Sequence, residues 1–392
     1  MDYRTLVNPD IAAVPPSGIR KFFDIVSEMP DAISLGVGEP DFVTPWTIRE
    51  AAIQSLEDGL TQYTSNWGRA SLRRAIAQYL QTRFGAVYDP MAEVLVTVGV
   101  SEGIDLALRA LVNPGNEVLV PEPSYVSYAP GVIFAGGKPV PVRTTFAEEF
   151  RLSAQALRAA ITPRTKALIL PYPNNPTGAM MRRQDLEALA DVLRGTRVMV
   201  ISDEVYGELT YGGYTHTCFA TLPDMWERTI TLSGFSKAFA MTGWRMGYAC
   251  GPREVLALMC KIHQYTIMCA PMQGQIAAER ALRSALDTDF ADVRGMMESY
   301  DRRRRVMVEA FTRMGLACFD PLGAFYVFPS IEKTGLSSTA FCERLLRAEK
   351  VACVPGDAFG ASGEGYIRCC YATALDKLRE ALVRIERFVG SL

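Results

Sequence analysis

Lys237 lies in the run Ser233-Gly-Phe-Ser-Lys-Ala-Phe-Ala240, directly after the apolar stretch 229–233. An amine flanked by small and aromatic residues is partly desolvated, which lowers its pKa and suits it to forming a Schiff base with a carbonyl. A lysine in a Gly/Ser loop also reads as a solvated surface residue, so the choice turns on what else stands beside it. Two more apolar runs end in polar groups. Residues 198–202 run into Asp203, Glu204 and Tyr206, and residues 167–170 run into Pro171-Tyr-Pro-Asn-Asn-Pro-Thr-Gly178. A carboxylate just past a buried strand is costly unless it meets a cation or a hydrogen-bond donor. The ring nitrogen of pyridoxal phosphate is such a partner, and Asp203 would keep that ring protonated as an electron sink.

The three apolar runs are short enough to be buried strands, and residues 182–193 between two of them have helical periodicity. Strands alternating with helices predict right-handed crossovers and a mainly parallel sheet, with ligands at the carboxyl ends of the strands. Residues 93–99 read as another strand and Val100 to Leu108 as a helix beginning at once, a junction whose free amides and helix dipole suit an anion, although many helices follow a glycine without binding one. Further helices are predicted at 20–27, at 47–58 with Thr47 as cap, at 70–84 and 152–161, from Glu254 to about Met314 with a break at Pro271, and at 373–388. Short strands are predicted at 33–37 and 117–120. Residues 323–328, 351–354 and 365–371 read as strands of a smaller sheet. The Asp301-Arg-Arg-Arg-Arg305 run reads as the solvated face of a long helix.

The 392 residues, 49% hydrophobic with a net charge of -2, describe a globular chain long enough for a large core and for two to three domains. This balance gives no reason to expect nucleic-acid or membrane binding. Nine cysteines without a C-x-x-C pair read as buried free thiols. His216 and His263 have no companions at metal-ligand spacing, so no metal site is expected. The N-terminal residues lack the pattern of a signal peptide and no run approaches a membrane span, so a cytoplasmic address is expected.

Gly234-Phe-Ser-Lys237 through Met241, followed by Gly243-Trp-Arg245-Met-Gly247, resembles the lysine-attachment signature of the class I and II aminotransferases, pyridoxal-phosphate enzymes of fold type I. Gly38-Glu-Pro-Asp-Phe42, Tyr63-Thr64, the Thr97 to Glu102 turn, Asn174-Asn-Pro-Thr-Gly178, Ser202-Asp-Glu-Val-Tyr206 and Tyr366-Ile-Arg368 follow in that family's order across nearly the whole chain. The resemblance implies an α/β fold: a large cofactor-binding domain over 46–283, its mainly parallel sheet flanked by helices, and a smaller α+β domain from 1–45 and 284–392 that includes an N-terminal arm.

It also implies pyridoxal 5'-phosphate as cofactor, in a Schiff base with Lys237 that gives way to pyridoxamine phosphate during transfer. Asp203 would meet the ring nitrogen, Asn175 and Tyr206 the phenolic oxygen, and Tyr125 would stack on the ring. Arg245, Val100, Ser101 and Ser236 would hold the phosphate. Tyr63 would reach the phosphate in a neighbouring subunit, which implies a homodimer with shared sites. Arg368 would grip the substrate α-carboxylate, with Gly38 and Asn175 beside it. Where some relatives carry a phosphate-binding serine, this chain has Gly234, so one bond is missing or is replaced by Ser233 or Ser236.

The implied reaction moves an amino group from an L-amino acid to a 2-oxo acid such as 2-oxoglutarate. The donor is expected to be aromatic, aspartate-like or N-acetyl-diaminopimelate, and Arg20 is a candidate for a distal carboxylate. Ser101 stands where aspartate-specific relatives can carry a lysine, which argues against an aspartate-only enzyme. The alternatives are a β-lyase on the same fold and a non-catalytic sensor.

Overall fold

The computed structural model describes residues 1, 6–16, 18, 29 and 31–392. The helix expected at 20–27 and the Arg20 side chain lie outside these residues. Among the described residues the strands are β1 (Ile33–Ser34), β2 (Val94–Thr97), β3 (Glu117–Glu122), β4 (Lys138–Arg143), β5 (Thr165–Leu170), β6 (Met199–Asp203), β7 (Thr229–Gly234), β8 (Gly247–Cys250), β9 (Tyr326–Val327), β10 (Val351–Ala352), β11 (Val354–Pro355) and β12 (Ile367–Cys370).

The large sheet has the order β2-β8-β7-β6-β5-β3-β4. Neighbours pair in parallel except at β8, which is antiparallel to both β2 and β7. The inner strands β5, β6 and β7 are mostly apolar because both faces are buried, whereas the edge strand β4 alternates with charged and exposed residues. Leu119, Leu168 and Val200 pack on one side with the helix Arg183–Leu193, whereas Val118, Ala167, Ile169, Ile201 and Ile230 pack on the other with the helices Gly99–Leu111 and Arg253–Thr266.

β8 and β4 were not among the expected strands, and β8 matters most for the site. It runs against its neighbours, so it begins at the edge where β2 and β7 end. Its first residue, Gly247, pairs with both Thr97 and Gly234. Arg245, two residues earlier, is thereby delivered to the edge that carries the carboxyl ends of the parallel strands.

The second core surrounds the helices Ala291–Arg313, Ser338–Glu349 and Leu375–Gly390 and contains Tyr300, Phe311, Phe325, Tyr326 and Tyr371. The 351–354 segment does not serve one small sheet. β10 pairs with β1, and β11 joins β12 and β9 in a separate three-stranded sheet. In the expected 254–314 helical stretch the break at Pro271 is present, before Met272, and a second, unexpected break falls before Ala291, giving three helices. Phe290 adopts φ 60 at the second break, a conformation that no proline or glycine announces. Thr47 is not a cap: its helix already starts at Trp46, after Pro45.

Half of the arginine run is buried, contrary to the solvated-face expectation. Arg303 donates to both carboxylate oxygens of Asp41, at 2.8 and 2.9 Å, and Arg304 pairs with Asp301 and Asp320. On a helix, consecutive arginines point in different directions, so Arg302 and Arg305 stay exposed while the middle pair faces inward. All nine cysteines are free, and Cys269 and Cys318 are only partly buried. Among the described residues no helix is long and apolar enough to cross a membrane, and no cluster of three or more His, Cys, Asp or Glu side chains could hold a metal.

Candidate active site

The strand ends bring together most of the residues singled out from the sequence. Lys237, three residues past β7, donates from Nζ to the Gly38 carbonyl oxygen at 2.7 Å and lies 5.7 Å from the Tyr206 ring centroid and 5.5 Å from that of Phe325. Burial pushes its ammonium down to about 8, aided by the Arg368 and Arg245 charges and opposed by Cys370 and Glu39. The amine therefore loses its proton far more readily than an exposed lysine, whose ordinary value is 10.5.

Asp203 closes β6 and is buried. Its carboxylate accepts the Tyr128 hydroxyl at 2.8 Å and the Val205 amide at 3.2 Å. Burial pushes this carboxyl up to about 6 despite both bonds. Among the described residues no cation stands within hydrogen-bond distance of it, so it is an acid made costly by its surroundings and suited to a cationic partner. Tyr128 was missed in the sequence. The signal available was its place three residues after Tyr125, at the start of the helix Tyr128–Phe134, and the two rings pack edge to face at 5.6 Å.

Arg368 on β12 presents the converse case. Its guanidinium is buried, donates to Asn175 Oδ1 at 2.9 Å and to the Gly36 carbonyl, and leaves Nε without a partner. It stacks 4.7 Å from the Tyr326 ring centroid and 4.9 Å from that of Phe359. No carboxylate neutralises it among the described residues. With its Oδ1 engaged, Asn175 keeps its amide N–H groups free to donate elsewhere. Tyr206 bonds through its hydroxyl to the Tyr326 hydroxyl at 2.8 Å.

The opposite end of the site is built around the first turn of the helix Gly99–Leu111. Gly99 has φ +74, and a Cβ there would lie 2.6 Å from an Arg245 terminal nitrogen. Arg245 therefore lies against the amino end of a helix and, among the described residues, forms no ion pair. Such an arrangement suits an anion, above all a phosphate. Val100 is nearly buried in that turn and Ser101 is exposed. The Ser236 hydroxyl has no protein partner among the described residues, whereas Ser233 Oγ donates to the Glu204 carbonyl at 3.3 Å. Gly234 is explained sterically, since a Cβ there would come within 2.8 Å of the Met246 carbonyl oxygen and 3.0 Å of Gly247 Cα.

Behind this turn, Glu102 accepts the Val98 amide at 2.5 Å and bonds His263 Nδ1 at 2.7 Å, a pairing that sequence spacing did not suggest. Tyr63 stands apart from the group, 80% exposed on the surface. Tyr125 is partly buried next to Tyr128, and Gly38 is the residue whose carbonyl meets Lys237.

A buried carboxylate seeking a cation, an amine of lowered pKa, a phosphate cradle and a buried arginine lacking an acid fit pyridoxal phosphate with a carboxylate-bearing substrate. Together with the helix-flanked, mostly parallel sheet, they define a pyridoxal-phosphate enzyme of fold type I. Residues 30–385 match the family "Aminotransferase class I and II", and the chain belongs to it. It is 52% identical to the YugH protein of Bacillus subtilis over 97% of each chain. It is 47% identical to an aspartate aminotransferase of Pyrococcus abyssi over 95% of this chain and 96% of the relative. The aromatic aminotransferase structure from Pyrococcus horikoshii superposes with a TM-score of 0.90 at 45% identity, covering 94% of this chain and 99% of that one. The protein is an aminotransferase that uses pyridoxal phosphate.

Proposed function

We propose that this enzyme moves the amino group of an L-amino acid to a 2-oxo acid, 2-oxoglutarate being the acceptor, with Lys237 as the attachment and proton-transfer residue. The single observation that carries the reading is the convergence of the Lys237 amine, the buried Asp203 carboxylate and the uncompensated Arg368 guanidinium at one end of the sheet. Pyridoxal phosphate, when bound, supplies an aldehyde that takes the amino group and a conjugated ring that accepts the electron pair left at Cα.

The chain's residues supply the rest. Arg245, Ser236 and the Val100 and Ser101 turn hold the phosphate, with Tyr63 reaching over from a second subunit. Asp203 keeps the ring nitrogen protonated, Tyr206 and Asn175 donate to the phenolic oxygen, and Tyr125 stacks on the ring. Arg368 would grip the substrate α-carboxylate beside Gly38 and so orient the Cα–H bond for deprotonation. The free Lys237 amine would take the Cα proton as a base and deliver it as an acid to the carbon that bore the cofactor's aldehyde. An amine with a pKa of about 8 serves both steps near neutrality.

The donors we propose are aromatic, aspartate-like or N-acetyl-diaminopimelate. The names of an aspartate and an aromatic aminotransferase among similar proteins support that range, as does the ring-lined setting of Arg368. We further propose a cytoplasmic homodimer, with 46–283 as the cofactor domain and 1–45 plus 284–392 as the small domain and arm.

An absorption spectrum of the cofactor-loaded enzyme tests the reading. Each amino acid of a panel is added without a 2-oxo acid. A visible band that moves to the near-ultraviolet, with the matching 2-oxo acid released, supports it and ranks the donors. Release of ammonia and pyruvate, or a wild-type band that survives in Lys237→Ala, would sink it.

A further inference from the structure

The Tyr326 side chain touches three parts of the site that come from distant stretches of the chain. It is fully buried on β9, and its hydroxyl lies 2.8 Å from the Tyr206 hydroxyl. Its ring lies under the Arg368 guanidinium. At Gly38 an added Cβ would sit 2.4 Å from the Tyr326 oxygen, so the absence of a side chain there leaves that hydroxyl its place. The titratable or charged groups facing it are Arg368 and Cys370 on β12, Tyr206 beyond β6 and Tyr125 beyond β3.

We propose that Tyr326 is a positioning residue that fixes the direction of the Tyr206 hydroxyl. A phenol has one proton to donate and two lone pairs to accept with. When Tyr326 donates to the Tyr206 oxygen, the Tyr206 proton is left to point at the ligand, and the incoming bond polarises it into a stronger donor. The inference rests on the reading that Tyr206 meets the phenolic oxygen of the cofactor. The consequence concerns the nitrogen that joins Lys237 to that cofactor. While this nitrogen is protonated, it donates to the phenolic oxygen itself. Once deprotonated, it leaves the oxygen anion dependent on Tyr206. A well-aimed Tyr206 hydroxyl therefore favours the deprotonated form and holds the titration of the visible band low.

The experiment titrates the visible band of the holoenzyme against pH, without substrate, in wild type, Tyr206→Phe, Tyr326→Phe and the double variant. Tyr326→Phe is expected to move the titration midpoint upward by roughly half to one pH unit, less than the one to two expected for Tyr206→Phe. It is expected to add nothing in the Tyr206→Phe background. Gly38→Ala, whose methyl would press on the Tyr326 hydroxyl, is a second route to the same loss and is expected to move the midpoint in the same direction. An unmoved or lowered midpoint in Tyr326→Phe overturns the inference, as does an equal rise in both backgrounds. If Tyr206→Phe itself leaves the midpoint unmoved, the reading of Tyr206 fails instead.

Discussion

At the scale of single residues, the site concentrates groups held in states that water would not choose. Burial raises the Asp203 carboxyl from its ordinary value near 3.8 to about 6. The folded cofactor-free protein therefore disfavours the ionised form: the cost is present above pH 6 and gone below pH 4. Relative to Asp203→Asn, the cofactor-free wild type should gain up to on the order of 3 kcal/mol as pH falls through that window. Denaturant unfolding of both proteins between pH 4 and pH 7 checks this, and a gain in the opposite direction would contradict it. The same substitution should slow transamination by roughly a hundredfold or more, because the ring nitrogen loses its anionic partner. At Arg368, a lysine would keep the charge but lose the planar fork and the stacking on Tyr326 and Phe359. Arg368→Lys should lower kcat/KM for the amino acid by about thirtyfold or more.

At the scale of elements, the phosphate cradle depends on how closely β8 approaches the helix Gly99–Leu111. A Cβ at Gly247 would lie 2.6 Å from the Gly99 carbonyl carbon and 2.7 Å from the Val100 nitrogen, both backbone atoms that cannot swing aside. Gly247→Ala should therefore push β8 from the helix end proposed to hold the cofactor phosphate. The expected result is a loss of about 2–4 kcal/mol in stability and at least a tenfold weaker cofactor affinity, read by denaturant melts and by cofactor titration of the cofactor-free enzyme. A second link joins the loop carrying Gly38 to the helix Ala291–Arg313 through Arg303 and Asp41. Arg303 is almost wholly buried while Asp41 is about a quarter exposed. Arg303→Ala should thus cost about 2 kcal/mol, below the range for fully buried pairs. It should also raise the KM for the amino acid, since the Gly38 loop loses its anchor.

At the scale of the whole molecule, Tyr63 and Tyr265 are 80% and 84% exposed, and Ile267 and Met268 are close to half exposed. Asn66 Nδ2 donates to the Met268 carbonyl at 2.8 Å and ties these two surface stretches together. A surface of this kind suits a second copy of the chain. Sedimentation should give twice the 43.2 kDa chain mass. If sites are shared, Tyr63→Ala should weaken cofactor binding although Tyr63 lies away from its own Lys237. Unchanged affinity in a confirmed dimer would remove Tyr63 from the phosphate site.

Lys237, Asp203, Asn175 and Arg368 were legible in the sequence because chemistry-bearing side chains follow apolar strands or stand in motifs whose order resembles a family's. Five strands of the large sheet, β2, β3, β5, β6 and β7, were legible for a related reason, since burial on both faces leaves apolar runs. What the chain could not announce locally was set by pairings between distant segments. β8 is a strand because β2 and β7 flank it, and that register places Arg245 beside Gly99. Arg303 is buried because Asp41 meets it from 262 positions away. Tyr128 and Tyr326 stand in the site because their hydroxyls find Asp203 and Tyr206 across the sequence. A hydrogen bond or ion pair between remote residues leaves no periodicity in either stretch. Sequence thus determined which groups are candidates for the chemistry, and tertiary structure decided which other groups surround them.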